Sequence, residues 1–301
     1  MQIQGQNKTW TIAYPLTLDL DIERGFMQQT SSGSFTVYNL GDAARKDIYL
    51  DWNNQLLSGQ RLITIKAGYK SWAQGQNTSS ASGMETIFDG FVRSANSTRQ
   101  GPTWMTTIEA WDGGYSRIGG QVNLAFAANV PFNNRVQAIA SYMPGLKSVY
   151  ISPQLNAAVT RGRTYQGYAW DILQELANYA QADMAIDLGN FYMVPRGASV
   201  PGIFSSLNKI SSQNGLLNTP IRQKFQVTFD MIFEPRLVCG QTISMESIET
   251  ENNGIYTLRG LKHSGTISGA VDTGCVTSCI LWPYPYPNAP ASSSNPLNPN
   301  L

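Results

Sequence analysis

Trp10, Ile12, Tyr14, Leu16, Leu18, Leu20 and Ile22 occupy successive even positions, while Thr9, Thr11, Ala13, Thr17, Asp19 and Asp21 fill odd ones. A period of two sustained over residues 10–22 gives one buried and one solvated face, the signature of β structure. Pro15 has no backbone N–H to donate, so the run is expected to divide into two strands or to mark a sheet edge. The same alternation returns at Phe225, Val227, Phe229 and Met231. Both ends of the chain are therefore expected to be built from strands.

Between them the periodicity changes. Strands are expected over 34–40, 61–69, 85–93 and 104–111, with a short helix over 42–50 and turn-rich separators at 74–83 and 99–102. Short strands with a turn signal between each point to a barrel or sandwich. Past Trp111-Asp-Gly-Gly114 the spacing becomes helical: Val136, Ile139, Ala140 and Met143 share a face. Asn133 or Asn134 is the expected cap, and Pro144-Gly145 the stop. A second helix over 169–180 is expected to bury Ile172, Leu173, Leu176, Tyr179 and Ala180. Strands over 184–188 and 191–195 are expected to meet in a hairpin at Gly189-Asn190. Residues 119–200 thus read as a small α+β domain. Strands over 241–245, 254–263 and 275–282 follow. The last residues, 283–301, carry six prolines and read as an extended Pro/Ser/Asn-rich tail.

Composition narrows the function. Charged residues make up 14% of the chain, against about 25% in ordinary globular proteins. Aromatics reach 11%. A surface short of charge and rich in aromatics suits permanent protein contacts. The formal net charge is +1, with no basic block for nucleic-acid recognition. Residues 1–14 contain no apolar signal region. No run of about 18 apolar residues suggests a membrane-spanning segment. Three cysteines cannot form an even disulfide framework, so a reducing cytoplasm is the expected place of synthesis or assembly.

Three stretches carry a family likeness. The first runs from Ser34-Phe-Thr-Val-Tyr-Asn-Leu40 through a short helix to Gly59-Gln-Arg-Leu-Ile-Thr-Ile-Lys-Ala-Gly-Tyr69, Ile87-Phe-Asp-Gly90 and the segment 99–113, which ends Glu109-Ala-Trp-Asp-Gly113. The second is Thr164-Tyr-Gln-Gly-Tyr-Ala-Trp-Asp-Ile-Leu-Gln-Glu-Leu176. The third is Gly254-Ile-Tyr-Thr-Leu-Arg-Gly-Leu-Lys-His-Ser-Gly265. In this order they resemble the baseplate hub family of contractile-tailed bacteriophages, related to the hub part of type VI secretion spikes. The resemblance implies a mainly β chain in which two tail-tube-like β-barrels, 1–118 and 201–284, flank a middle α+β domain, 119–200. It implies a structural homotrimer whose pseudo-sixfold barrels adapt a sixfold tail tube to a threefold spike around a central DNA channel. The implied partners are the tail tube protein, the central spike, other baseplate proteins and the tape measure protein. DNA would pass without sequence recognition, in a virion assembled in the host cytoplasm. The tail, 285–301, matches nothing in the family. It is expected either to clasp a neighbouring subunit or the spike, or to fold back on its own chain.

Candidate chemistry is sparse. His263 is the single histidine and lies in an expected strand with no nucleophile elbow beside it, so a structural role is expected. Cys275 and Cys279 share a strand face about 13 Å apart, too far for a disulfide. A zinc site would need Cys239 and His263 as well, and buried thiols acting as small hydrophobes are the plainer expectation. Asp19, Asp21 and Glu23 read as polar decoration of a solvated face rather than a calcium loop. Glu246 with Glu249, or Asp183 with Asp187, are the carboxylate pairs a cell-wall hydrolase would offer. Gly113-Gly114 and Gly119-Gly120 lack a phosphate-loop Lys-Ser/Thr. Asn7, Asn77 and Asn96 head glycosylation sequons without a secretion signal. Trp72, Trp104 or Trp111 would form the platform of a glycan-binding module. No catalytic, cofactor or metal residue is assigned. A tail-associated glycan-binding module and a cell-wall lytic enzyme remain as alternatives to the hub.

Overall fold

In a computed structural model, which describes residues 1–26, 30–50, 61–69, 84–157, 159–201, 209–269 and 274–284, the opening alternation becomes strands on either side of Pro15. The first β region comprises β1 (Gln2–Gln4), β2 (Thr9–Thr11), β3 (Leu18–Gly25), β4 (Ser32–Tyr38), β5 (Leu62–Ala67), β6 (Glu85–Gln100) and β7 (Thr103–Trp111), with helix α1 (Asp42–Ile48) after β4. Even-numbered Leu20 and Ile22 are buried while Asp19 and Asp21 are not, as the alternation requires. Tyr14, beside the proline break, is exposed although it keeps the even phase. Phe35, Val37, Ile63, Phe88 and Ile108 fill the core beneath these strands, and the Phe35 and Phe88 rings meet edge-on at 5.4 Å.

The middle of the chain holds α2 (Gly114–Gly119), β8 (Gln121–Phe126), α3 (Phe132–Ala140), β9 (Ser148–Ile151), β10 (Arg163–Tyr168), α4 (Ala169–Tyr179), β11 (Ala182–Asp187) and β12 (Asn190–Pro195). α3 and α4 bury Val136, Ile139, Leu173 and Leu176 in one cluster with Met184, Phe191 and Met193 of the small sheet. Three details differ from expectation. α3 starts at Phe132 with Pro131 as its N-cap and no side-chain cap bond, so neither Asn133 nor Asn134 caps it; the fixed φ of Pro131 and the fully buried Phe132 set the start instead. Tyr179 lies exposed on α4, and Trp170 and Ala177 complete the buried stripe. The β11–β12 hairpin turns at Leu188-Gly189, φ 51° and 78°, with Asp187 opposite Asn190. Two positive φ values make the primed turn that strand twist favours, one residue earlier than Gly189-Asn190.

The last region contains β13 (Lys209–Ile210), β14 (Ile221–Gln223), β15 (Gln226–Ile232), β16 (Thr242–Met245), β17 (Gly254–Ile267) and β18 (Cys275–Pro283). Val227, Phe229 and Met231 face the core; Phe225 precedes β15 and is exposed. The two β regions share one sheet, antiparallel but for the β13–β16 pair. β17 pairs with β3 from Gly260–Gly25 to Ile267–Leu18, giving the order β14-β15-β18-β17-β3-β4-β7-β6-β5-β1-β2, with β16 and β13 branching from β17. Among the described residues this path is open, ending at β14 and β2. The protein is mainly β, as expected, and its two β regions are hydrogen-bonded to each other through the β3–β17 seam. The core of the last region also takes in Phe26 from the first region and Ala185 and Val194 from the middle. The tail, 285–301, lies outside the described residues, as do the separator at 74–83, Trp72 and Asn77.

Candidate functional site

Two of the most deeply buried arginines among the described residues converge on the seam. Arg24 stands near the end of β3, and Arg259 at the irregular step of β17 between Leu258 and Gly260. Opposite them β11 offers Asp183 and Asp187, four residues apart on one strand face. Arg24 grips Asp187 with two parallel bonds, Nε to Oδ1 at 2.8 Å and Nη2 to Oδ2 at 2.7 Å, with both side chains essentially inaccessible. Burial opposes the guanidinium charge, but attraction to Asp187 outweighs it and raises the pKa above the ordinary arginine value. Arg259 donates from Nη2 to Asp183 Oδ2. That oxygen also accepts the Gly197 N–H at 2.8 Å. The Arg259 guanidinium lies 4.6 Å from the Trp282 ring centroid and 5.1 Å from that of Phe26. Two arginines, one from each half of the large sheet, are thereby fastened to one strand of the middle sheet.

Asp112, just past β7, joins the same cluster. Its Oδ1 accepts the Gly189 N–H at 3.0 Å and holds the tip of the β11–β12 hairpin. Burial, reinforced by the nearby charge of Asp187, pushes its carboxyl up to about 7. Gly113 follows at φ 69°, and an added Cβ would stand 2.7 Å from Ile186 Cδ1. The glycine permits close packing of the joint; it is not part of a phosphate cradle.

This arrangement disposes of the carboxylate pair Asp183 and Asp187 as hydrolytic machinery. Four residues of strand place them about 13 Å apart, beyond the roughly 5–9.5 Å that two-carboxylate hydrolases use. Each is also committed to an arginine. Glu246 pairs with Lys209 on the surface at 2.5 Å, and Glu249 is exposed at a 3₁₀ turn.

His263 is fully buried in β17. Its Nδ1 lies 2.9 Å from Thr277 Oγ1, which accepts the Glu234 N–H at 2.9 Å, and the ring meets Phe233 edge-on at 5.2 Å. Burial, with the charge of Arg24, lowers its pKa to about 3, so the ring is neutral at physiological pH. Replacing His263 with Ala is expected to cost about 1–3 kcal/mol of stability through the cavity and the lost bond. Zymograms on cell walls should be the same for both proteins; a band lost only in the variant would show a catalytic histidine.

Cys239 and Cys279 are buried free thiols and Cys275 is half-buried. Burial pushes the Cys239 thiol up to about 12, which disfavours the thiolate a metal would need. Among the described residues no group of three or more His, Cys, Asp or Glu is placed to hold a metal ion. Asp19 accepts bonds from Tyr38 Oη at 2.6 Å and Thr266 Oγ1 at 2.5 Å, and Asp21 pairs with Lys262 at 3.0 Å. These acids are engaged across strands instead of converging on an ion. Asn7 donates its side-chain amide to Asp47 at 2.6 Å, and Asn96 faces Thr107 across the β6–β7 ladder. Arg45 lies 3.6 Å from the Trp104 ring centroid and Arg93 4.3 Å from that of Trp111, occupying ring faces that a sugar would use.

Sequence reasoning missed Arg24, Arg259 and Asp112. Arg24 had a signal: it continues the even, buried series after Leu20 and Ile22, and a charge in the buried phase requires a buried partner.

The family model described as "Baseplate hub gp41" matches residues 1–265. Solved structures share the fold. A tail protein from Neisseria meningitidis MC58 is 11% identical, covers 93% of this chain and 95% of its own, and superposes with a TM-score of 0.61. The 43 kDa tail protein of prophage MuSo2 from Shewanella oneidensis is 8% identical, with coverages of 94% and 96% and a TM-score of 0.59. The E. coli c3393 protein is a type VI secretion component described as structurally similar to the T4 tail proteins gp27 and gp5. It is 8% identical, with coverages of 98% and 80% and a TM-score of 0.59. No curated protein matches the sequence.

Proposed function

This chain belongs to the baseplate hub gp41 family, and from that membership we propose that it is the hub of a contractile tail, a homotrimer joining the sixfold tail tube to the threefold spike. A structural role in a phage tail baseplate follows from the family itself. The finer reading assigns residues 1–118 and 201–284 to two tube-like barrels around the middle domain, 119–200. Three chains would then present six similar units around a channel for DNA. The family match over residues 1–265 carries this reading. The seam adds physical support, because a hub transmits load and both β regions here are hydrogen-bonded together and pinned to the middle by buried ion pairs. The likeness of fold to a type VI component supports a spike as the partner below; the hub reading adds the tail tube, other baseplate proteins and the tape measure protein as further neighbours. A non-enzymatic role fits the commitment of Asp183 and Asp187 to arginines, the pairing of Glu246 with Lys209 and the packing of His263.

Sedimentation at assembly concentrations is expected to show three copies, and imaging of the virion should place them on the tail axis with interfaces of over about 2,000 Å². A chain that stays monomeric and lies off the axis would refute the hub.

A further inference from the structure

Where β7, α2 and α4 meet, the surface opens into a cleft of about 390 Å³. Trp170, 3% exposed, lines it. The Arg117 guanidinium sits 4.3 Å from the Trp170 ring centroid and donates to Thr30. Trp111, Ile118 and Tyr168 form an apolar rim, 37%, 68% and 46% exposed. The indole N–H of Trp170 is itself closed off from the cleft, which leaves the ring and the rim side chains as the surface a ligand would meet. Arg117 is engaged by Thr30 and lies near the charge of Asp171, which also lines the cleft, so the apolar rim is what remains to receive a ligand. The site therefore calls for a ligand that is apolar and slim. A polyproline helix has this character, and each proline lacks an N–H. Aromatic-lined grooves are the usual receptors of such segments.

The chain itself carries one. Seventeen residues follow Tyr284, and they contain two Pro-x-x-Pro sequences, Pro287-Asn-Ala-Pro290 and Pro296-Leu-Asn-Pro299. The ladder registers give the distance to be crossed. Ser278 faces Lys262, which faces Glu23, then Ser32, then Trp111. Four strand spacings make about 19 Å, and the six residues from Ser278 to Tyr284 about 20 Å along β18, so Tyr284 and Trp111 stand roughly 28 Å apart. Pro287–Pro290 lies at most about 19 Å beyond Tyr284 at about 3.1 Å per residue, too close to reach. The eleven residues 285–295 extend to about 34 Å and deliver the second sequence to the cleft. We propose that the cleft is the receptor for Pro296-Leu-Asn-Pro299 of the same chain, which latches the tail across the joint between the large sheet and the middle region. The proposal goes beyond the hub reading and holds for a single chain.

Photo-cross-linking of the full chain tests it, with Leu297→p-benzoylphenylalanine as the probe and heavy- and light-isotope proteins mixed in equal amounts. Adducts are expected on peptides carrying Ile118 or Tyr168, always within one isotope. Adducts on other surfaces, adducts joining heavy to light chains, or no adduct would each overturn the proposal. Ile118→Glu, at a rim position exposed enough to spare the fold, should lower the adduct yield about tenfold, as loss of an anchor contact does. An unchanged yield in that variant, with its melting temperature intact, would also overturn it.

Discussion

Arg24→Ala is expected to destabilise the chain by about 3–5 kcal/mol, the range for removing one partner of a buried ion pair. The guanidinium makes both of its bonds to Asp187 in a region closed to water, so its removal strands that carboxylate. Asp112 lies in the same cluster, and without Arg24 two acids face each other with no cation between them. The charge, more than the lost volume, sets the size of the effect. Replacing the pair together, Arg24→Met with Asp187→Leu, should therefore recover most of the loss, because well-packed apolar side chains often substitute for a buried pair at little cost. Glu175→Ala, which breaks the half-exposed pair with Arg163, should cost about 0–1 kcal/mol. Urea midpoints with unchanged slopes would measure all three. An Arg24→Ala loss no larger than that of Glu175→Ala would mean the seam is held by strand pairing alone.

The sequence displays its strands because β periodicity is local: residues 10–22 and 225–231 announce a buried face without reference to the rest of the chain. The same holds for α4, where Leu173 and Leu176 are in phase. The joining of β3 to β17 is not local. It pairs residues more than 200 positions apart, and nothing in the alternation of either strand says which partner its edge will meet. The short strands β1, β8, β10 and β14 went unseen for another reason. Three to six residues hold too few alternations to stand out, and β14 is exposed throughout. The candidate site was half legible. Asp183 and Asp187 drew notice as a carboxylate pair, since two acids four apart look alike whether they face a substrate or two arginines. Arg24 supplied the missing discrimination, standing in phase with Leu20 and Ile22 on a face that admits no water.

The stability of wild type relative to Asp112→Asn is expected to fall as pH rises from about 4 to about 7, whereas His263, neutral when folded but titrating near 6.5 when unfolded, pulls the stability of both proteins the other way. Unfolded, Asp112 titrates near 3.9; folded, burial and the charge of Asp187 move it to about 7. Between these values Asp112 holds a proton in the native chain that it has released in the unfolded one, so raising the pH erodes the stability that this site contributes. The stabilising difference is fully present below the unfolded value and is gone once the pH passes the folded one. Three pH units at about 1.4 kcal/mol each set a ceiling near 4 kcal/mol, with the attraction to Arg24 already contained in the folded value. Asparagine keeps an oxygen for the Gly189 N–H and carries no charge, so the variant should be the more stable protein at pH 8. The gain should be larger still in the Arg24→Ala background, where the ionised Asp112 has lost its nearest cation; contacting residues are not additive. Urea denaturation of both proteins at half-unit steps from pH 4.5 to 8 reads the contribution as the difference between their curves, in which the shared His263 linkage cancels. Parallel curves for wild type and Asp112→Asn would show that Asp112 is already ionised in the folded chain, and that Arg24 neutralises both acids of the cluster.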